Sequence, residues 1–443
     1  MMPKRSVLAA WVAALISWSA MAGDTVIVDV GVISMLEPGV QEGQNVTVRN
    51  GRIVAIGWGE VPANARIIDG SGRFLIPGLA EMHAHVPVEN PYRDDVLFLW
   101  VANGVTMARG MIGHPTHLAL REDLLAHRTL GPRLLTSGPP LSGRLVSAEE
   151  MAARVREQKD AGYDFLKIIG GLSGEGFEAV AAEANRVGIS FAGHVTASVG
   201  LQASLEAGQT TIDHLDGYMQ AITPDAGSYP ESYLTWFGEA LAPHVDPGLI
   251  PRAVAFTKAS GSAVVPTETL LENTAHAYDW ESMARRPQFA YVPKDIRERD
   301  IGYLKQMARN ASAEKAARFL GIRKTLIKAL HDGGVPVLLG SDSPQIFNVP
   351  GFSIHRELAA MVAAGLTPFE ALASGTTAPA AFFGTSAWGA IEVGRDADLV
   401  LLNANPLLDI ANTQRIEGVM VRGRWLDRTE LDAGLSDIEE RYR

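Results

Sequence analysis

Five short stretches of this 443-residue chain hold residues that could do chemistry together: EMHAH (81–85), FLKII (165–169), FAGHV (191–195), TIDHL (211–215) and GSDSP (340–344). His83 and His85 are two apart, so on a strand both imidazoles face one side. Converging imidazoles suit a divalent cation such as zinc. Alternation puts Lys167 on the same face as Phe165 and Ile169, and apolar surroundings lower a lysine pKa. A neutral amine can take up carbon dioxide as a carbamate, whose two oxygens could bridge two cations about 3.5–4 Å apart. His194 and His214 are candidates to hold the second cation. Asp342 could ligate the first, orient an attacking hydroxide and pass a proton to the leaving group. Each residue also has a plainer reading. A buried histidine can be satisfied by a carbonyl, a lysine can pair with a carboxylate at a rim, and an aspartate can cap the next helix.

These residues need elements that bring them to one place. Between residues 76 and 385, short apolar strands alternate with helical stretches such as SAEEMAARVREQKDAG and EGFEAVAAEANRVG, each stopped by glycine. Eight strand candidates are present: the segment entering His83, then those at about 104, 132, 163, 188, 210, 262 and 335. That count fits an α/β fold of the (β/α)8 TIM-barrel kind, whose usual size is about 250 residues. In such a barrel the candidate residues fall at the C-terminal strand ends, where active sites lie. An open doubly wound sheet is the alternative. Residues 24–75 and 386–428 read instead as short alternating strands, with Asn50-Gly51 a hairpin turn. They are expected to form one small composite β-sandwich domain from both ends of the chain.

Composition narrows the function classes. A formal charge of −11 and the absence of a basic cluster argue against a nucleic-acid surface. No cysteine is present, so any metal is held by nitrogen and oxygen and no disulfide contributes. Residues 1–22 have the pattern of a secretory signal peptide: Lys4 and Arg5, an apolar run, and Ala20-Met21-Ala22 before Gly23. The expected location is outside the cytoplasm, a bacterial periplasm, with no membrane association once the signal is removed.

The five stretches, in that order, resemble the amidohydrolase superfamily, and the similarity extends over residues 24–428. Within it the chain is similar to the branch with imidazolonepropionase-like and prolidase-like members, and the lysine of the fourth strand implies the binuclear, carboxylated-lysine subtype. The resemblance implies that His83, His85 and Asp342 hold one metal, that His194 and His214 hold the other, and that Lys167 bridges them once carboxylated at its Nζ. It implies two divalent ions, zinc by default, and a metal-bridging hydroxide that attacks an amide in small substrates such as Xaa-Pro dipeptides or N-acyl amino acids. A lactonase or phosphotriesterase-like hydrolase on the same site is the first alternative. A non-catalytic binding or assembly protein on the barrel is the second, and homo-oligomerisation stays open. The chain departs from many relatives at Arg109-Gly110, where they have Arg-Asp, and at Leu215-Asp216, where they have glycine. Tyr218, four residues after His214, and His114, in HPTH, are candidate substrate contacts. The segment 272–311 is expected to be an insertion at the mouth, a lid that carries specificity.

Overall fold

The computed structural model describes residues 23–143, 146–234 and 236–443. The expected signal peptide lies outside these residues. Among them, no helix is long and apolar enough to cross a membrane.

The N-terminal stretch forms β1 (Thr25–Val32), β2 (Gln41–Arg49), β3 (Arg52–Gly57), β4 (Arg66–Asp69) and β5 (Phe74–Pro77). The middle supplies β6 (Leu79–Ala84), β7 (Val105–Gly110), β8 (Arg133–Thr136), β9 (Leu166–Ile168), β10 (Phe191–Gly193), β11 (Thr211–Asp213) and β12 (Ala263–Val265). Near the end follow β13 (Leu399–Leu402), β14 (Ile416–Val421) and β15 (Arg424–Asp427).

Strands from both ends make one sheet in the order β15-β14-β13-β5-β1-β2-β3, with β4 beside β1. Its β2–β3 hairpin pairs Arg49 with Arg52 across Asn50 and Gly51, whose φ angles of 50° and 75° are those a two-residue turn requires. β1 kinks at Asp29 (φ 54°), and its two halves pair with different neighbours. The sheet thereby encloses its own core, in which Ile27, Val46 and Ile53 meet Leu75, Leu399 and Trp425.

The middle strands pair in parallel, β6-β7-β8 and β9-β10-β11-β12. Isolated parallel bridges carry the pairing onward from Ser137 to Phe165, from Val264 to Val337, and from Ser343 to Ala84. The stretch expected as an eighth strand at 335 is therefore present as an extended segment, not as a regular strand. It is tied in by Leu338 N–H donating to Val264 O, Met82 N–H to Leu339 O and Asp342 N–H to His83 O. Asp342 itself has φ 60°, and that turn breaks the regular ladder.

The helices begin and end where local chemistry dictates. Ser147 caps Ala148–Asp160 and Ser173 caps Gly174–Val187, which ends at Gly188 in the left-handed region. Phe177, Val180, Ala181 and Ala184 give the second helix a buried stripe. Both stretches were legible as helices. A helix over Arg428–Tyr442, capped by Asp427, was not expected. It docks on helix Tyr92–Ala102 through Arg441 and Tyr442, which both reach the carboxylate of Asp95.

Candidate active site

Strand alternation delivers the candidate residues to one buried cluster. On β6, Glu81 and His83 share a face, and His85 follows just beyond the strand. Lys167 lies in the centre of β9, while His194 and His214 come one residue after β10 and β11. The imidazole centroids of His83 and His214 are 4.6 Å apart, those of His194 and His214 4.7 Å, and those of His83 and His85 5.4 Å. Asp342 joins them, with Oδ1 2.6 Å from His85 Nε2 and 3.6 Å from His83 Nε2, and Oδ2 3.5 Å from His214 Nδ1. All six residues predicted as ligands thus meet.

The electrostatics follow from burial. Burial lowers the His83 pKa to about 4, helped by the nearby Lys167 amine, and holds His214 well below its ordinary value. It lowers Lys167 too, although the carboxylates of Asp213 and Asp342 act the other way. Burial alone would raise Asp342, but His83, His85 and Lys167 outweigh it and keep the group ionised. The outcome is that the imidazoles of His83 and His214 are neutral and face a carboxylate, the protonation state in which such groups bind a cation.

Sequence reasoning missed the shell that holds these groups. Asp213, fully buried, lies 3.4 Å from Lys167 Nζ and 3.1 Å from His83 Nδ1, and accepts from Thr211 Oγ1 at 2.8 Å. Thr211 in turn accepts from Arg109 Nη1 at 3.1 Å. Arg109 is buried against the Phe165 ring, 4.4 Å from its centroid. Asp216 holds His194 Nδ1 at 3.1 Å, and Thr267 Oγ1 holds His214 Nδ1 at 2.7 Å. Glu81 accepts from the backbone N–H of Ser341 and of His83, and burial pushes its pKa up to about 8. The signal for Glu81 and Asp213 was available, since period-two alternation puts Glu81 beside His83 and Asp213 beside Thr211.

The donor set fits a divalent metal. One nitrogen or oxygen from each of His83, His214 and Asp342 lies within 4.8 Å of the others. His83 Nδ1, although close to Asp213, is not aligned for a hydrogen bond and is left buried without one. A buried nitrogen without a hydrogen-bond partner among imidazoles and carboxylates is one that a cation would satisfy.

A profile of the family described as the amidohydrolase family matches residues 74–426. The chain belongs to the amidohydrolase family. A search of curated proteins with this sequence gives no match. Among solved structures, this amidohydrolase is similar to the bottromycin amidohydrolase, with a TM-score of 0.73 at 23% identity over 95% of this chain and 90% of that one. It is also similar to a Xaa-Pro dipeptidase with methionine bound in its active site, at TM-score 0.66 and 18% identity over 91% and 100% of the two chains. A Bifidobacterium longum protein designated a prolidase gives 0.68 at 22% identity over 94% and 99%. At these identities the likeness is one of fold.

The two predicted substrate contacts are corrected by the structure of this amidohydrolase. Tyr218 is fully buried in the main core, and its hydroxyl is taken by Thr257 Oγ1 at 2.6 Å. His114 is exposed and caps helix Pro115–Leu125, where its Nδ1 accepts from Thr116 N–H and His117 Nδ1 accepts its own backbone N–H. The Tyr218 hydroxyl is thus already engaged in the core, and His114 serves as a helix cap at the surface. The segment 272–311 is largely helical, and its helix Lys294–Ala308 stands over the loop that follows Asp342, where Phe347 N–H donates to Asp300 Oδ2.

Proposed function

We propose that this protein is a metal-dependent hydrolase that cleaves an amide bond in a small substrate, of the kind found in Xaa-Pro dipeptides and N-acyl amino acids. The observation that carries the reading is the convergence of four imidazoles, one amine and one carboxylate from five separate segments. In this reading the middle of the chain, 76–385, is a (β/α)8 barrel, with 24–75 and 386–428 as its composite β domain. Export through residues 1–22 belongs to the same reading.

His83, His85 and Asp342 would hold one divalent ion and His194 and His214 the other, with zinc the default and Lys167 between them as its carbamate. Bound there, the ions would lower the pKa of a water and polarise the substrate carbonyl. The chain's own residues do the rest. Thr267 fixes the ring of His214 and Asp216 that of His194, while the carboxylate of Asp213 lies beside His83. Such partners orient a ligating imidazole and set its tautomer. Asp342 takes the proton that the attacking water loses and gives it to the nitrogen of the leaving amine as the C–N bond breaks.

The test is amine release from a panel of Xaa-Pro dipeptides and N-acyl amino acids, with zinc and bicarbonate supplied and Lys167→Ala as control. Turnover that the substitution removes supports the reading. Turnover that survives it overturns the bridging role of Lys167. Silence on amides, with turnover of lactones or phosphotriesters by the same protein, overturns the amide.

A further inference from the structure

The two sides of the histidine cluster differ in character. On one side Phe237 lies across the imidazoles of His194 and His214, with ring centroids 6.1 and 5.1 Å away and its plane within 21° of that of His194. The residue is held at φ 56°, a left-handed conformation that a bulky side chain rarely adopts. It is fixed there between the main core and Gly238, where any side chain would collide with Met219. Strain of this kind persists where the surroundings over-determine it, and it gathers at functional sites.

At His85, a different member of the cluster, a cleft of about 340 Å³ opens between helix Lys294–Ala308 and the loop after Asp342, and His85 forms part of its wall. Arg299, Tyr303 and Gln345 line it with polar groups. Arg299 donates through Nε and Nη2 to Asp300 Oδ1, and its side chain remains 62% exposed, with Nη1 outside that pair. Asp300 Oδ2 is already taken by the Phe347 N–H. The cleft therefore offers an incoming group a guanidinium edge and an amide, with neither Asp300 oxygen left free.

We propose that these two walls orient the substrate: Arg299 in the cleft beside His85 receives a free carboxylate on the amine half, and Phe237 packs against an apolar acyl half. The inference rests on the amide-hydrolase reading, in which Asp342 protonates the leaving amine. Asp342 contacts His85 and begins the loop that lines the cleft, so the amine half belongs on that side. The acyl half then faces His194, His214 and the ring of Phe237. Planar guanidinium–carboxylate pairing gives the first wall its selectivity, and ring packing gives the second.

Four ligands separate the two walls: N-benzoylglycine, N-acetylglycine, and the primary amide of each. Both kcat/KM and calorimetric Kd are measured on the zinc-loaded protein, for wild type, Arg299→Ala, Arg299→Lys, Phe237→Ala and Phe237→Leu. Wild type is expected to prefer acid over amide and benzoyl over acetyl. Arg299→Ala should cut the acid preference about tenfold and leave the benzoyl preference unchanged, with partial rescue in Arg299→Lys. Phe237→Ala should do the reverse, by about tenfold, with partial rescue in Phe237→Leu. Uniform weakening of all four ligands by either variant, or no acid preference in wild type, overturns the proposal. Selective binding of all four without turnover of any Xaa-Pro or N-acyl substrate would count against the hydrolase reading and leave the two walls standing.

Discussion

Arg323 offers a sharp test of how the scaffold holds the cluster. It is fully buried on helix Ala313–Asp332. Its Nε and Nη2 donate to Glu268 Oε1 at 2.8 and 2.5 Å, its Nη1 to His214 O at 2.8 Å, and its Nη2 also to Pro266 O at 3.0 Å. Arg323→Met would leave the Glu268 carboxylate buried without its cation. It would also orphan two carbonyls beside the left-handed turns at His214 and Thr267. Breaking such a pair from one side costs about 3–5 kcal/mol. At about 2 °C per kcal/mol for a large domain, the Tm should fall roughly 6–10 °C. Replacing both partners with apolar residues of similar size is often neutral. It would also relieve Glu357, whose carboxyl is pushed up by burial and by Glu268. The double variant Arg323→Met/Glu268→Met should therefore recover most of the lost Tm. It should not recover activity or metal content, because the guanidinium that anchors His214 O is still missing. Scanning calorimetry and metal analysis of the three proteins decide the matter. A drop below about 2 °C in the single variant, or a double variant restored in both stability and turnover, would refute the reasoning.

Three further outcomes are expected. His355, buried with only Thr413 Oγ1 as partner, has its pKa lowered by burial to about 4, against about 6.5 unfolded. The folded state therefore keeps it neutral. Its contribution is intact above pH 6.5 and is lost as pH falls toward 4, a span that amounts to about 3 kcal/mol. His355→Phe should flatten the dependence of Tm on pH between 6 and 4.5, and parallel curves for the two proteins would exclude His355 as a source of acid lability. Removal of metal by a chelator should abolish turnover and lower the Tm, and zinc with bicarbonate should restore both. Because a ligating imidazole must be neutral, metal should also be released as the pH falls toward 4, where His83 takes up its proton, and dialysis with metal analysis would register the loss.

How much of this was legible in the sequence depends on which physical signal each part leaves. The clustering of the candidate residues was readable because strand alternation and residue type act together: EMHAH, FLKII and GSDSP place reactive groups in or just beyond short strands, and their order along the chain adds weight that no single stretch carries. The β-rich ends were readable from turn chemistry, since Asn50-Gly51 permits little else. The second shell was only half readable. Alternation marked Asp213 and Glu81, but a reading drawn to histidine passed over them. Tyr218 and His114 failed for another reason. Proximity in sequence to His214 says nothing of direction, and the Tyr218 hydroxyl points to Thr257 on the helix Ile250–Ser260. Helix Arg428–Tyr442 left a weak signal, with Leu431 and Ile438 the only side chains it buries among the described residues.

The least legible feature is the one nearest to function. Positive φ angles at His214, Phe237, Thr267, Asp342, Ile346 and Phe347 place six of the thirteen such non-glycine residues among the described residues in or beside the cluster and the loop after Asp342. Glycine announces such conformations in a sequence, but histidine, aspartate and isoleucine do not. Here the strain is held by specific buried contacts. The Arg323 guanidinium secures the carbonyl of His214, and Asn273 Nδ2 donates to Ile346 O at 2.9 Å. The backbone bond between Asp342 N–H and His83 O fixes the third turn. None of these partners adjoins its target in sequence, so no local pattern could reveal them. A fold that spends stability on these strained residues holds the clustered side chains in place in advance, and such preorganisation is what the proposed hydrolytic centre would need.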